Sequence, residues 1–470
     1  MKNLVFVFFL ISTSFYAQNY EKNWKKVIEN ENDGKIKTAN SIVDKIYKKA
    51  TQEKNEVQLL KCFFYESRYL QTLEESAHTK IIKSLKTEIK NASVPSKAIY
   101  NLIYAKCLNG YYNQHWYSLK TRTQADSLSD DFLTWNQNDF EKQIQATYDK
   151  TLENDVVLKK TPLTDYEPIF DFSTLENFKK ESLFNFLLKE YITFYKSKIN
   201  QWETRTNDLT NLKDAFFGNS DSFTKLNLDF IKSESLKKIL ELYQKQELNA
   251  PTVDNQLERI LFCDTYILKS KEDLIRVLNS LQKKNKDEIL LQKIQFEKAK
   301  IYSSLASKEN HPDYNIITIS ILDSIINIKN RSNPYKLAFQ KKQELNSKTL
   351  AVQLQKFSYT NENTRALINY ANVDKLQISF YKISKEMSKA FAYPQNRNKD
   401  DFTAFGIIKK NKPVKTLEAQ LLNKKDYFSY NTEVLLPQLE TGNYLVFFES
   451  DSYADAKAFA YETITISNLA

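Results

Sequence analysis

Glycine is what this sequence lacks most: five in 470 residues, where ordinary usage is about 7%. No two glycines stand within six residues of each other. That spacing excludes the dinucleotide fingerprint, the P-loop, the kinase glycine loop and the Gly-x-Ser-x-Gly elbow, all of which need close glycines. Three histidines (His78, His115, His311) and three cysteines (Cys62, Cys107, Cys263) lie scattered, with no HExxH and no CxxC. The common zinc and thiol frameworks fall with them. Arginine is scarce too, eight against sixty lysines behind a formal charge of +10. Arg reads phosphate and guanine bidentately, whereas Lys is a solvated point charge. The lysines are interleaved with 58 acids and never run five together, so no basic stripe marks a nucleic-acid surface. Paired acids such as Asp130–Asp131, Asp400–Asp401 and Glu74–Glu75 are the solvated surface expected of a chain with 27% charged residues.

What is present starts with an export signal. Lys2 gives a positive start, Leu4 to Ile11 an apolar run, and Ser12 to Ala17 a descent to a small residue before Gln18. This is the layout of a secretory signal over residues 1–17, cleaved between Ala17 and Gln18, with a run too short to span a bilayer. Phe15 departs from the small-x-small rule at the cut. No cysteine follows to carry a lipid. The mature chain is therefore expected in the periplasm, the cell envelope or outside, where disulfides are allowed. Each cysteine sits in an apolar helical segment (KCFFY, AKCLN, LFCDT) and reads as a buried hydrophobe. A Cys62–Cys107 pair is the alternative.

At 470 residues the length suggests about three domains, but the periodicity changes only once, near residue 348. Before that it is helical. Ala39, Ile42, Val43, Ile46, Tyr47 and Ala50 keep the spacing of one helix face, as do Leu183, Phe184, Leu187, Leu188, Tyr191, Phe194 and Tyr195. Pro95, Pro162, Pro168, Pro251 and Pro334 fall between such segments or at their starts. The Ile-rich run Ile316 to Ile328 is long enough to favour helix. Residues 35–73 read as two amphipathic helices joined at Lys54–Asn55, the size of one tetratricopeptide-like unit, without that repeat's full signature or a fixed period. Residues 18–348 are therefore expected to form an irregular α-solenoid. All four tryptophans (Trp24, Trp116, Trp135, Trp202) lie there. The richest aromatic cluster, Tyr111, Tyr112, His115, Trp116 and Tyr117, reads as helix–helix packing with polar tips at the rim.

Beyond 348 the period is two: Leu350, Val352, Leu354; then Leu376, Ile378, Phe380; then Tyr444, Val446, Phe448. Six or seven short strands, with turn material between them, predict one immunoglobulin-type β-sandwich over 356–470 and a division near 348–355. Gly442-x-Tyr444 after a Leu-rich turn resembles a tyrosine corner, which makes Tyr444 structural. The polar stretch 384–410 is expected to be a long exposed connection.

Several segments together resemble a known family. ANSIVDKIYKKATQEKNEVQLLKCFFYESRYL looks like the opening helical pair of the large alpha-2-macroglobulin-like proteins of Bacteroidetes envelopes. DFLTWNQNDFEKQIQATYDKTLEN is similar to their next helical block. TPLTDYEPIF followed by SLFNFLLKEYITFY resembles the proline-bounded loop leading into a long aromatic helix. RALINYANVDKLQISFYKI and VLLPQLETGNYLVFFES are similar to the first macroglobulin-type sandwich. Members that inhibit proteases carry further sandwiches, a bait segment and often a Cys-x-Glu-Gln thioester. Here Cys62, Cys107 and Cys263 are followed by Phe, Leu and Asp. The ending TITISNLA looks like a strand running toward a further sandwich, so the chain is expected to be either a truncated product or an N-terminal module.

The resemblance implies a non-catalytic scaffold or docking module of the envelope, related to endopeptidase inhibitors and unable to trap proteases alone. The alternative is a stand-alone interaction protein whose helical array binds a protein or glycan. No catalytic residue, cofactor or metal is expected, and no nucleic-acid partner. Protein partners, proteases or other envelope proteins, are expected, with no transmembrane segment in the mature chain.

Overall fold

The computed structural model describes residues 20–123, 128–170, 181–199, 213–268, 270–391, 404–408, 410–450 and 458–468. The chain is mainly helical with a C-terminal β region. It divides into two compact units, Met1–Leu268 and Lys269–Ala470. Strands begin at Thr349, where the period changes, but that change lies inside the second unit.

The first unit opens with α1 (20–32), α2 (Ile36–Glu53), α3 (Glu56–Leu73), α4 (Ala77–Asn91) and α5 (Val94–Lys120). After a 3-10 turn at Phe132–Thr134 come α6 (Gln137–Thr151), α7 (Asp155–Lys160), α8 (Leu183–Lys198), α9 (Lys213–Phe217) and α10 (Ser220–Thr224). The unit closes with α11 (Glu234–Asn249) and α12 (Val253–Cys263), which continues as a π-helical turn Asp264–Leu268. The joint between α2 and α3 shows how a glycine-poor chain turns. Lys54 adopts φ 54°, its N–H reaches the Thr51 carbonyl, and the Asn55 N–H reaches that of Ala50 at 2.9 Å. These are the two bonds of a Schellman cap, usually built on glycine. Asn55 then caps α3 by accepting the Gln58 N–H at 3.2 Å. Two residues thus end one helix and start the next. Ala39, Val43, Ile46 and Ala50 of α2 are buried with Cys62 and Tyr69 of α3 and Tyr20, Trp24 and Val27 of α1.

The second unit begins with α13 (Lys271–Lys284), α14 (Glu288–Leu305), α15 (Tyr314–Ile326) and α16 (Asn333–Asn346). The Ile-rich run is α15, packed through Leu322 and Ile325 on Ala299 and Ala338. Then follow β1 (Thr349–Leu354), β2 (Phe357–Ser358), β3 (Arg365–Ala371), β4 (Lys375–Ile383) and a short helix α17 (Lys385–Phe391). The last strands are β5 (Lys415–Gln420), β6 (Tyr430–Leu435), β7 (Gly442–Ser450) and β8 (Phe459–Ile466). They pair in two sheets, β1-β3-β6 and β2-β8-β7-β4-β5. All pairs are antiparallel except β2 with β8. One core joins the sheets: Ile368 and Tyr370 from the first meet Ile378, Phe380, Val446 and Phe448 from the second.

Strand β7 is buried on both faces, which explains its unbroken apolar run. Tyr444, Val446 and Phe448 enter the shared core, while Leu445 and Phe447 face outward onto a second cluster with Ala404 and Ile407. The 384–410 stretch is therefore not wholly an exposed connection. Phe391, Phe405 and Ile408 also lie against that outer face, and residues 392–403 and 409 lie outside the described residues.

Three ties explain why α13 to α16 group with the sheets. Asn372 (φ 57°) donates to the carbonyls of Leu345 and Ser347 at 2.8 and 2.9 Å, closing the end of α16. Asn315 donates to the Asp426 carbonyl at 3.1 Å. Lys308 donates to the Ser429 carbonyl and lies 4.1 Å over the Tyr430 ring.

Candidate functional site

The long helix α5 carries the aromatic cluster, and the structure divides it. Ile99, Tyr100, Ala105 and Leu108 are buried in its N-terminal half. Past Gly110 its neighbours thin out. Tyr111 still packs inward, stacked on Phe140 at 5.6 Å and edge-on to Phe132 at 5.2 Å. Tyr112 donates its phenol to Glu141 at 2.8 Å. Burial first, then that bond and the carboxylate's charge, push its pKa up to about 12. These two residues behave as packing with a polar tip at the rim. Trp116 and Tyr117 do not: they are 50% and 76% exposed, edge-on to each other at 6.1 Å. Lys120 covers Trp116 only loosely, at 5.8 Å. Large rings this exposed are unusual on a helix that buries Tyr100 and Tyr104.

A second feature is an acidic groove of about 440 Å³ between α2, α3 and α4. Asp44, Glu66 and Glu88 line it, one from each helix. Burial, then the charges of Asp44 and Glu88, push the Glu66 carboxyl up to about 7. Burial raises Glu88 as well, against the opposing hydrogen bond of Tyr47. Tyr47 donates to Glu88 at 3.3 Å. Like charges in a desolvated site disfavour each other's ionisation. Sequence reading missed this, since the three are spaced along separate helices and each looks like surface charge.

A wider groove of about 890 Å³ lies along α1 and α3, lined by Tyr20, Trp24, Ile28, Gln58 and Lys61. Its floor is tied down: Trp24 Nε1 donates to Gln58 at 2.7 Å, and Lys61 sits 4.5 Å over the Trp24 ring.

All three cysteines are free, so the Cys62–Cys107 alternative does not occur. Burial raises every one of these thiols, Cys107 to about 11. Buried thiols of this kind are packing groups. Tyr444 donates its phenol to the Glu440 carbonyl at 2.9 Å, the contact expected of a tyrosine corner. The expected cleavage site at Ala17–Gln18 and Trp202 lie outside the described residues. Among the described residues no three or more His, Cys, Asp or Glu are grouped to hold a metal ion. Among them, too, no helix is long and apolar enough to cross a membrane. No protein-family model matches the chain, and no curated protein matches it.

Proposed function

We propose that this chain is a non-catalytic docking protein of the cell envelope, on the plan of the alpha-2-macroglobulin family its segments resemble. It would be exported through residues 1–17, released between Ala17 and Gln18, and bind a protein partner. One observation carries this: the pairing order of the β region together with the Tyr444 tie. In immunoglobulin-type sandwiches two antiparallel sheets share a core, and a tyrosine near the start of a late strand bonds a backbone group a few residues upstream. Here β1 pairs in one sheet and β2, after Gln355 and Lys356, in the other. Tyr444 bonds Glu440 near the start of β7. The helical hairpins before it we read as an irregular α-solenoid.

The exposed Trp116 and Tyr117 favour a second reading, in which the helical face itself binds a protein or glycan. One experiment tests both docking and address. A photoreactive residue replaces Tyr117 in the full chain, and another replaces Lys150, an exposed position on α6. Cells are irradiated and fractionated. Adducts from position 117 alone, in the envelope or periplasmic fraction, are expected. Equal adducts from both positions would sink the docking face. A cytoplasmic chain that keeps its first 17 residues would sink the address.

A further inference from the structure

We propose that the seat of His78 is an acid-sensitive joint in the helical unit: its neutral imidazole holds α4 against α5, and protonation loosens that packing. His78 is the second residue of α4 (Ala77–Asn91), at the positive end of the helix dipole, where a cation is disfavoured. Its ring is half-buried and packs on α5 beside Gly110, where a Cβ would lie 3.7 Å from the ring's Cε1. Tyr111 lies 6.0 Å away, and His115 lies 4.3 Å from Tyr111. Tyr111 is also the ring that packs α5 on Phe132 and Phe140. A charge placed on His78 therefore lands in the contact that joins α4, α5 and α6.

The surrounding groups decide the direction. On α5, Cys107, Tyr111 and His115 face the imidazole. Near it on α4 are Lys80, already paired with Glu74, and one turn further Lys83, 3.7 Å from Asp131. From α6, Glu141 is held by Tyr112. Burial lowers the proton affinity of His78 most; the Cys107 backbone bond opposes it, and the like charge of His115 adds to the lowering. Cation–π attraction to Tyr111 would favour the charged form, but at 6.0 Å it is at the limit of that interaction.

The sign follows from linkage. His78 holds its proton less tightly folded than unfolded, where an imidazole titrates near about 6.5. Above that pH both states are neutral and stability is full. As pH falls below it the unfolded chain takes the proton first, so stability drains until the folded value is passed. This joint belongs to the helical unit and does not depend on the docking role.

The test uses the full chain, unfolded by heat near about pH 7.5 and about pH 5 and followed by tryptophan fluorescence. The wild type is expected to lose on the order of 2 °C more of its midpoint on acidification than His78→Gln. Equal losses would overturn the joint. Should His78→Gln not fold, NMR titration of the wild-type imidazoles decides, with His115→Gln and His311→Gln fixing the assignment. A His78 midpoint below that of the same residue in the urea-unfolded chain supports the joint; one at or above it overturns it.

Discussion

Arg259 is among the largest fully buried side chains of the described residues, and it shares its site with an equally buried Glu247. Nε meets the carboxylate at 2.7 Å and Nη2 at 3.2 Å. The remaining donors reach the carbonyls of Phe216 and Gly218, and the guanidinium lies 4.3 Å over the Phe223 ring. Gly218 is needed there, because a Cβ would come within 2.7 Å of the Asp214 carbonyl. A buried pair of this sort adds little net stability against an apolar replacement, yet breaking it leaves a charge uncompensated. Arg259→Met is therefore expected to cost about 3–5 kcal/mol in denaturant unfolding. Arg259→Met with Glu247→Leu should recover most of it. A double variant as weak as the single one would show that the carbonyl bonds, not the charge, dominate. The clue was visible as an arginine inside an apolar helix in a chain with only eight. Its partner was not, because Glu247 is on another helix and the carbonyls come from the end of α9 and from Gly218 just after it.

Helices and strands were legible where their faces are amphipathic. The α2–α3 joint at Lys54–Asn55, the Ile-rich α15 and the alternation of β1 and β4 all follow from spacing. What spacing hides is a second buried face, as on β7, and the side-chain ties that attach one element to another. Asn372 directly follows β3. In the fold it holds a left-handed backbone and caps the end of α16 through two carbonyls. These two roles separate by substitution. Asn372→Gly keeps the backbone and loses the bonds, at about 1–2 kcal/mol. Asn372→Ala loses the bonds and also sets a Cβ in the left-handed region, adding about 1–2 kcal/mol. Urea midpoints of both variants check the order Asn, Gly, Ala. Equal losses for Gly and Ala would mean that the backbone at 372 relaxes freely. The acidic groove was illegible for a related reason: Asp44, Glu66 and Glu88 converge only once three helices pack, and no pair of them is a helical neighbour.

At the scale of the whole molecule the question is whether this 470-residue chain inhibits a protease, as the resembled family does. Covalent capture needs an activated acyl group, which that family makes from a Cys-x-Glu-Gln thioester. The three cysteines here stand before Phe63, Leu108 and Asp264. Two are buried and one is half-buried, and burial holds all three as thiols near neutral pH. A thiol that does not ionise is a poor nucleophile, so no covalent bond to a protease is expected. Enclosure without a bond needs walls around the protease. The described β strands form one pair of sheets around one core. A trypsin-like protease could cut among the lysines of 384–413, but the strands on either side, β4 and β5, are paired with each other over six residues. A nick between them leaves that ladder in place. The purified chain at a stoichiometric ratio is therefore expected to leave protease activity on a large protein substrate unchanged. Strong inhibition there, with small peptides still cleaved, would mean that the chain encloses proteases, alone or as an assembly.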